Sequence, residues 1–282
     1  MEHQMKPVKQ TSLLILDPRL EAKWSHMVFE HPATFESLAM DPKEKQAIIN
    51  DLLKFSKGKD YYKKIGKAGK RGYLLYEPLG TGKSTMIFAM SNLIHYDVYD
   101  LELTIVKDNT ELRKMLIAIT GKAIIVIKDI DCSLDLTEHR EKKKEEKEKK
   151  DGDEKDSIPK RPKEEEATTS KVTLSGLLNF TDGIWSACGE ERLIVFTPNY
   201  VDKLDLAFIR RGRMDKHIQL SYCCYEAFKV LARNYLDVES HESFGSIERL
   251  LGEINMTPAD VAENLMPKSD TGDADSCLKS LI

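Results

Sequence analysis

The sequence predicts an α/β fold: a parallel sheet flanked by helices, followed by a small C-terminal helical lid. Three observations predict it. The glycine turn Gly80-Thr81-Gly82-Lys83-Ser84-Thr85 lies between an apolar run, Tyr73-Leu74-Leu75-Tyr76, and a helix-like run, Met86-Ile87-Phe88-Ala89-Met90. Two continuous apolar runs follow, Ala123-Ile124-Ile125-Val126-Ile127 and Leu193-Ile194-Val195-Phe196, each suited to a strand buried on both faces of a parallel sheet. Beyond Ser221 such runs stop, and residues 225–237, 246–253 and 257–266 read as helices. Strands alternating with helices in this order give a doubly wound sheet.

In chain order, residues 1–21 carry no clear periodicity and read as an N-terminal extension, so the α/β domain is expected over 22–220 and the lid over 221–282. Phe35 to Phe55 is helical in pattern, with Ala47, Ile48, Leu52 and Phe55 recurring after Asp41-Pro42, an N-cap and a first-turn proline. Gly66 to Gly72 is a basic, glycine-punctuated loop that feeds the next strand. A short strand is expected over Asp97–Leu103 and a helix over Thr110–Thr120, opened by Asp108-Asn109-Thr110. Residues 138–170 are almost all Lys, Glu, Asp and Arg. Such a segment cannot bury enough apolar surface to offset its ordering entropy, which predicts a disordered insertion. Its cluster Pro159-Lys160-Arg161-Pro162-Lys163 reads as part of a charged linker rather than as a nuclear-import signal.

The 282 residues suffice for one large domain and a small one. Charged residues make up 32%, above the usual quarter, and the insertion explains the excess. A net charge of -4 gives no overall case for binding nucleic acid or an anionic membrane. The five cysteines (Cys132, Cys188, Cys223, Cys224, Cys277) form no C-x-x-C, which argues against a disulfide framework or a zinc site. No signal-peptide layout opens the chain, and Leu13-Leu14-Ile15-Leu16 is too short to span a bilayer. The expectation is a soluble intracellular protein with no membrane anchor in this chain.

The glycine turn has the layout of a phosphate-binding loop, with Pro78, Leu79, Gly80, Thr81, Gly82, Lys83, Ser84 and Thr85 as the binding segment. Glycines let backbone N–H groups turn onto an anion, and the following helix N-terminus adds partial positive charge. Lys83 would reach the β- and γ-phosphates of ATP, and the Ser84 hydroxyl would ligate Mg²⁺. The pattern G-x-x-x-x-G-K-[ST] fails at its first position, where Glu77 stands. Hydrolysis also needs acidic residues at a neighbouring strand tip. The run Ile124–Ile127 ends in Lys128-Asp129-Ile130-Asp131, with a lysine in place of the first acid. After Phe196 comes Thr197-Pro198-Asn199, whose amide can hydrogen-bond a water or a phosphate, and then Arg210-Arg211-Gly212-Arg213, whose guanidinium forks suit a phosphate.

Together these motifs resemble the AAA ATPases, and most of all the plant AAA-ATPase family related to the mitochondrial chaperone that assembles the cytochrome bc complex. The residues that carry the resemblance are Arg71–Tyr76, Tyr99-Asp100-Leu101-Glu102-Leu103, Thr173–Phe180 with Asp182-Gly183, Arg210–Lys216, and Thr257-Pro258-Ala259-Asp260-Val261. The similarity runs from about Lys23 to the C-terminus. It implies a P-loop NTPase (AAA+) sheet with a helical lid, ATP and Mg²⁺ as ligands, and ATP hydrolysis coupled to remodelling of an unknown protein client. Lys83 and Ser84 or Thr85 would hold phosphates and metal. Asp129 would be the catalytic acid, Asn199 the sensor, and Arg210 and Arg213 arginine fingers acting on the adjacent subunit of an oligomeric ring.

Four departures from the family pattern bear on that reading. The family's N-terminal membrane anchor and the domain after it are absent from this sequence. Glu77 and Leu79 replace a glycine and a proline, Lys128 replaces an acid, and Pro198 and Leu206 alter the surroundings of the sensor and fingers. No aromatic-x-glycine pore loop is evident between Leu103 and Ala123, so peptide threading is not expected. Glu77 and Lys128 are expected to sit at neighbouring strand tips, where they could pair, unless Lys128 binds phosphate directly. The charge swap predicts impaired turnover. The alternatives are a degenerate nucleotide-binding pseudo-ATPase, or an activating subunit that donates Arg210 and Arg213 in a mixed ring.

Overall fold

A computed structural model describes residues 11–16, 24–28, 30–76, 78–130, 172–182, 191–204, 209–210, 212–267 and 273–282. Seven strands form one sheet: β1 (Ser12–Leu16), β2 (Trp24–Val28), β3 (Lys70–Tyr76), β4 (Asp97–Glu102), β5 (Ala123–Lys128), β6 (Arg192–Thr197) and β7 (Lys216–Gln219). Their spatial order is β2-β1-β4-β5-β6-β3-β7, and every pairing except β1 with β2 is parallel. Among the described residues, the α-helices of this domain are α1 (Pro42–Ser56), α2 (Lys59–Lys64), α3 (Lys83–Ile94), α4 (Asn109–Ile117) and α5 (Leu174–Asp182).

Strand periodicity divides the core into two layers. Tyr73 and Leu75 of β3, Ile124 and Val126 of β5, and Leu193 and Val195 of β6 pack with Leu52 and Phe55 of α1 and Met86 and Met90 of α3. The alternate residues Leu74, Ile125, Ile127, Ile194 and Phe196 pack with Leu112 and Leu116 of α4 and Leu177 of α5 on the other face. Successive side chains on a strand point to opposite faces, so a central strand covered by helices on both sides is apolar throughout. Each buried Val, Leu, Ile or Phe contributes about 1.5–3 kcal/mol. A tie between layers adds register: Asp51 of α1 accepts from Arg71 Nη2 at 2.5 Å and from the Tyr73 hydroxyl. Burial, then that carboxylate, pushes the Tyr73 phenol far above its usual range.

After β7 the described residues form the helices α6 (Tyr225–Leu236), α7 (Phe244–Glu253), α8 (Pro258–Leu265) and α9 (Ala274–Lys279), around Phe228, Leu231, Phe244, Ile247, Val261 and Leu265. Cys223, Cys224 and Cys277 are unpaired thiols. Burial, with the neighbouring Cys224, pushes the Cys223 thiol up to about 12.

Several expectations need correction. Leu13–Leu16, read as part of an extension, is strand β1, so the sheet begins at Ser12 rather than after residue 21. The helical pattern read from Phe35 becomes a helix only at Pro42, where Asp41 is the N-cap the sequence indicates, accepting from the Lys43 and Glu44 N–H groups. The loop read from Gly66 to Gly72 ends at Gly69, where β3 begins. The helix read over Thr110–Thr120 closes at Ile117, and Asp108 caps its start by accepting from the Thr110 and Glu111 N–H groups. Helices α2 and α9 were not anticipated. The expected disordered insertion, 138–170, lies outside the described residues. Among the described residues, no helix is long and apolar enough to cross a membrane.

Candidate functional site

The phosphate-loop residues follow β3, whose Gly72, Tyr73, Leu74 and Leu75 are buried. Gly80 and Gly82 hold φ of 82° and 91°, a region open to glycine and strained for other residues. Gly82 is the residue before α3, and no side chain caps that helix start. The first-turn N–H groups and the positive end of the helix dipole therefore face outward, the arrangement that accepts an anion. Within the turn, Thr81 is buried and its hydroxyl donates to the Pro78 carbonyl at 2.9 Å. The Lys83 ammonium donates to the same carbonyl at 3.0 Å. Ser84 is exposed, Thr85 is half-buried, and Leu79 is 79% exposed. Glu77 lies outside the described residues.

Two further predicted residues meet beside this turn. Strand β6 lies between β3 and β5, so the ends of all three open onto one edge of the sheet. At the end of β5, Asp129 adopts a left-handed φ of 51°, and its N–H donates to the Thr197 carbonyl at 3.3 Å. Aspartate tolerates this conformation better than most side chains. Asn199, two residues beyond β6, donates its amide Nδ2 to Asp129 Oδ1 at 2.6 Å. The kink at Asp129 turns its carboxylate toward the Asn199 amide.

Lys128 behaves differently from the expectation. Its partner is Asp100 on β4, with Nζ 2.7 Å from Oδ2. Glu77, the partner expected for Lys128, lies outside the described residues; β5 and β3, the strands before the two positions, are not neighbours, since β6 lies between them. Lys128 shares the sheet face of Ile124 and Val126, the face against which α3 packs. The second Asp100 oxygen, Oδ1, is buried without a hydrogen-bond partner.

Arg210 and Arg213 are placed elsewhere. Their turn packs on the start of β3, where the Asp215 N–H donates to the Gly72 carbonyl at 2.9 Å and the Gly72 N–H donates to Asp215 Oδ2 at 3.0 Å. A Cβ at Gly72 would lie 1.8 Å from the Arg213 carbonyl oxygen, so only glycine admits this approach. From Gly72 to Tyr76 the strand covers about 13 Å before the phosphate loop begins. The predicted residues thus fall into two groups: the phosphate loop with Asp129 and Asn199, and the arginine turn.

The lid completes the surroundings. The Ala259 N–H at the start of α8 donates to the Gly80 carbonyl at 3.2 Å. A cavity of about 330 Å³ lies between the phosphate loop and the lid, lined by Leu38, Gly82, Leu231, Tyr235 and Ala259 among others. Another of about 340 Å³ opens on the other side of Thr81, toward Met40, Tyr222 and Cys224. The part played by residues 37–41 and 222–224 escaped the sequence reading, because a few apolar and polar side chains in a connecting segment carry no motif.

The site's donors fit a phosphate chain: an uncapped helix start, two positive-φ glycines and a lysine. On the metal side the predicted ligand is Ser84, with a lysine on β5 where an acid would ligate. No cluster of three or more His, Cys, Asp or Glu able to hold a metal occurs among the described residues.

Comparison with known proteins yields two family matches. Residues 153–222 match the ATPase family associated with various cellular activities (AAA), and residues 223–282 match the At3g28540-like, AAA+ ATPase lid domain. Among similar proteins of Arabidopsis thaliana, AAA-ATPase At3g28510 is 65% identical over 265 residues, covering 94% of this chain and 50% of that protein. AAA-ATPase ASD, mitochondrial, is 65% identical over 269 residues, covering 93% of this chain and 52% of its own length. AAA-ATPase At3g28580 is 66% identical over 264 residues, 93% of this chain and 53% of that protein. The chain spans about half the length of these relatives.

Proposed function

The chain belongs to the AAA ATPase family, and from that premise we propose that its phosphate loop binds ATP and hydrolyses it slowly, the hydrolysis being coupled to remodelling of a protein client. The observation that carries this reading is the meeting of three strand ends at one edge of the sheet: the Gly80–Lys83 turn after β3, Asn199 after β6 and Asp129 after β5.

The residues divide the work. Backbone N–H groups from Gly80 to Ser84 hold the phosphates, and Lys83 leaves the Pro78 carbonyl to reach the β- and γ-oxygens. Mg²⁺, when bound, supplies charge neutralisation between those phosphates, and Ser84 is the side chain that would ligate it. Asp129 orients the attacking water and accepts its proton. The Asn199 amide holds Asp129 in place, and as a donor it also serves the water or the γ-phosphate once nucleotide is bound.

Slow turnover follows from Lys128. A cation 4 Å from a divalent metal at an effective dielectric of 20 is repelled by about 8 kcal/mol, an upper bound that solvent exposure and the Asp100 partner reduce. The test is ATP turnover and calorimetry, with and without Mg²⁺, on the wild type and on Glu77→Gly/Lys128→Glu. Turnover rises by about tenfold or more in the double variant; equal turnover by the two proteins defeats the reading.

The position of the arginine turn, with a stretch of strand between it and the phosphate loop, favours action on a neighbouring subunit in a ring. It also supports a second reading, in which this chain is an activating subunit that completes the site of an intact relative. Mixing the chain with such a relative then raises turnover, and Arg213→Ala abolishes the rise. No rise on mixing removes this reading.

A further inference from the structure

At the end of the sheet opposite the phosphate loop, the chain carries a charge of the wrong sign for its total. Between Lys54 and Arg71 it has eight basic side chains against one acid, a local charge of +7 in a protein whose total is -4. The fold gathers this segment around two adjoining hollows of about 290 and 480 Å³, both bounded by Lys54, Tyr61, Tyr62 and Arg71. The end of α1, helix α2 and the start of β3 make the walls. Lys54 and Lys67 are exposed on the rim. The floor is apolar: Tyr62 packs edge-on against the buried Phe55 at 5.9 Å, and Ile65 lines the larger hollow. Tyr61 stands 62% exposed beside it, its ring 6.0 Å from that of Tyr62 and inclined by 74°.

We propose that this groove is a docking site for an acidic peptide segment of a partner protein, one that places an apolar side chain between Tyr61 and Ile65 and its carboxylates on Lys54 and Lys67. Charge complementarity selects the occupant. Arg71 is held by Asp51, and the exposed lysines around the groove leave a local positive excess that draws a polyanion; the depth and the tyrosine and isoleucine side chains select among polyanions. A bilayer surface is too flat to enter a recess of this shape. The inclined tyrosine pair offers no parallel platform for the successive bases of a nucleic acid. A peptide side chain fits between, and its acidic neighbours reach the rim. The larger hollow is also bordered by Gly212 and Asp215, so the occupant sits against the turn that carries Arg210 and Arg213.

The probe is a fluorescein-labelled 14-residue peptide of glutamates with a leucine at every fourth position, titrated into the full chain and followed by anisotropy at two salt concentrations. Saturable binding that weakens with salt is expected. In Lys54→Glu/Lys67→Glu it weakens about tenfold or more. In Tyr61→Ala it weakens several-fold, and in Lys107→Glu/Lys114→Glu on the far side it stays within about twofold. Circular dichroism checks that each variant is folded, and Tyr61→Ala carries the test if the double reversal is not. The proposal is overturned if the matched peptide with glutamine for glutamate binds equally well, or if the rim reversals leave binding unchanged. It is also overturned if single-stranded DNA or phosphatidylserine vesicles bind through these lysines while the peptide does not. A fall in sedimenting mass on reversal of Lys54 and Lys67 would make a second copy the occupant, and overturns it too.

Discussion

In the proposed function, Lys128 is the residue that limits turnover. An acid in its place would attract a divalent metal; an ammonium repels one, and its reach lets it choose a partner. That partner is Asp100, 28 residues earlier and one strand away, at 2.7 Å. The pair is about one-third exposed, so its own stabilising effect is small, of order 1 kcal/mol or less. Its consequence lies in position: the ammonium is drawn toward β4, away from β6 and β3. The gain in turnover expected of Glu77→Gly/Lys128→Glu is therefore a residue-scale prediction. It asks whether these two charged positions together set the rate.

At the scale of elements, the Ala259–Gly80 hydrogen bond joins the start of α8 in the lid to the phosphate loop. The absence of a side chain at Gly80 allows this contact, since a Cβ there would meet Thr257 Oγ1 at 3.0 Å and Ala259 at 3.3 Å. The helix start is held by a reciprocal cap: Thr257 Oγ1 accepts from the Asp260 N–H at 3.2 Å, and Asp260 Oδ2 accepts from the Thr257 N–H at 2.9 Å and from its hydroxyl at 2.7 Å. These bonds, the Thr257 hydroxyl's first, lower the Asp260 pKa below its ordinary value. A lowered folded-state pKa means that the cap's contribution is fully present above the ordinary aspartate pKa and is lost as pH falls through the folded value. Thr257→Ala should cost about 1 kcal/mol of lid stability, read as roughly fivefold faster amide exchange in α8 at neutral pH. The difference from wild type should shrink in acid, as protonation of Asp260 undoes the wild-type cap. Unchanged exchange in Thr257→Ala would remove the cap from the account of how the lid is held.

For the whole molecule, legibility followed chemistry that repeats or stands together. Strands β5 and β6 were legible because burial on both faces makes them apolar without interruption, and the phosphate loop was legible because only glycines serve its positive-φ positions. Strand β1 was missed because its five residues are too few to carry a period. Helix α2, Lys-Asp-Tyr-Tyr-Lys-Lys, buries no residue and so has no apolar face to betray it. Strand order is the property a single sequence expresses least. Lys128 was matched with Glu77 because both follow strands, yet β6 lies between β5 and β3, and Lys128 bonds Asp100, two residues short of the Glu102 that stands opposite it in the β4–β5 register. The separation of the arginine turn from the phosphate loop had the same origin, since only the packing of Gly72 against Arg213 places it. What unites these parts is a single claim, that the turn ending in Lys83 receives a nucleotide's phosphates beside Asp129 and Asn199. Calorimetric titration of ATP into the wild type and into Lys83→Ala tests it most directly. The account predicts saturable binding by the wild type, weakened about tenfold or more in a Lys83→Ala protein that melts at the same temperature; equal binding by both, or binding by neither, would contradict it.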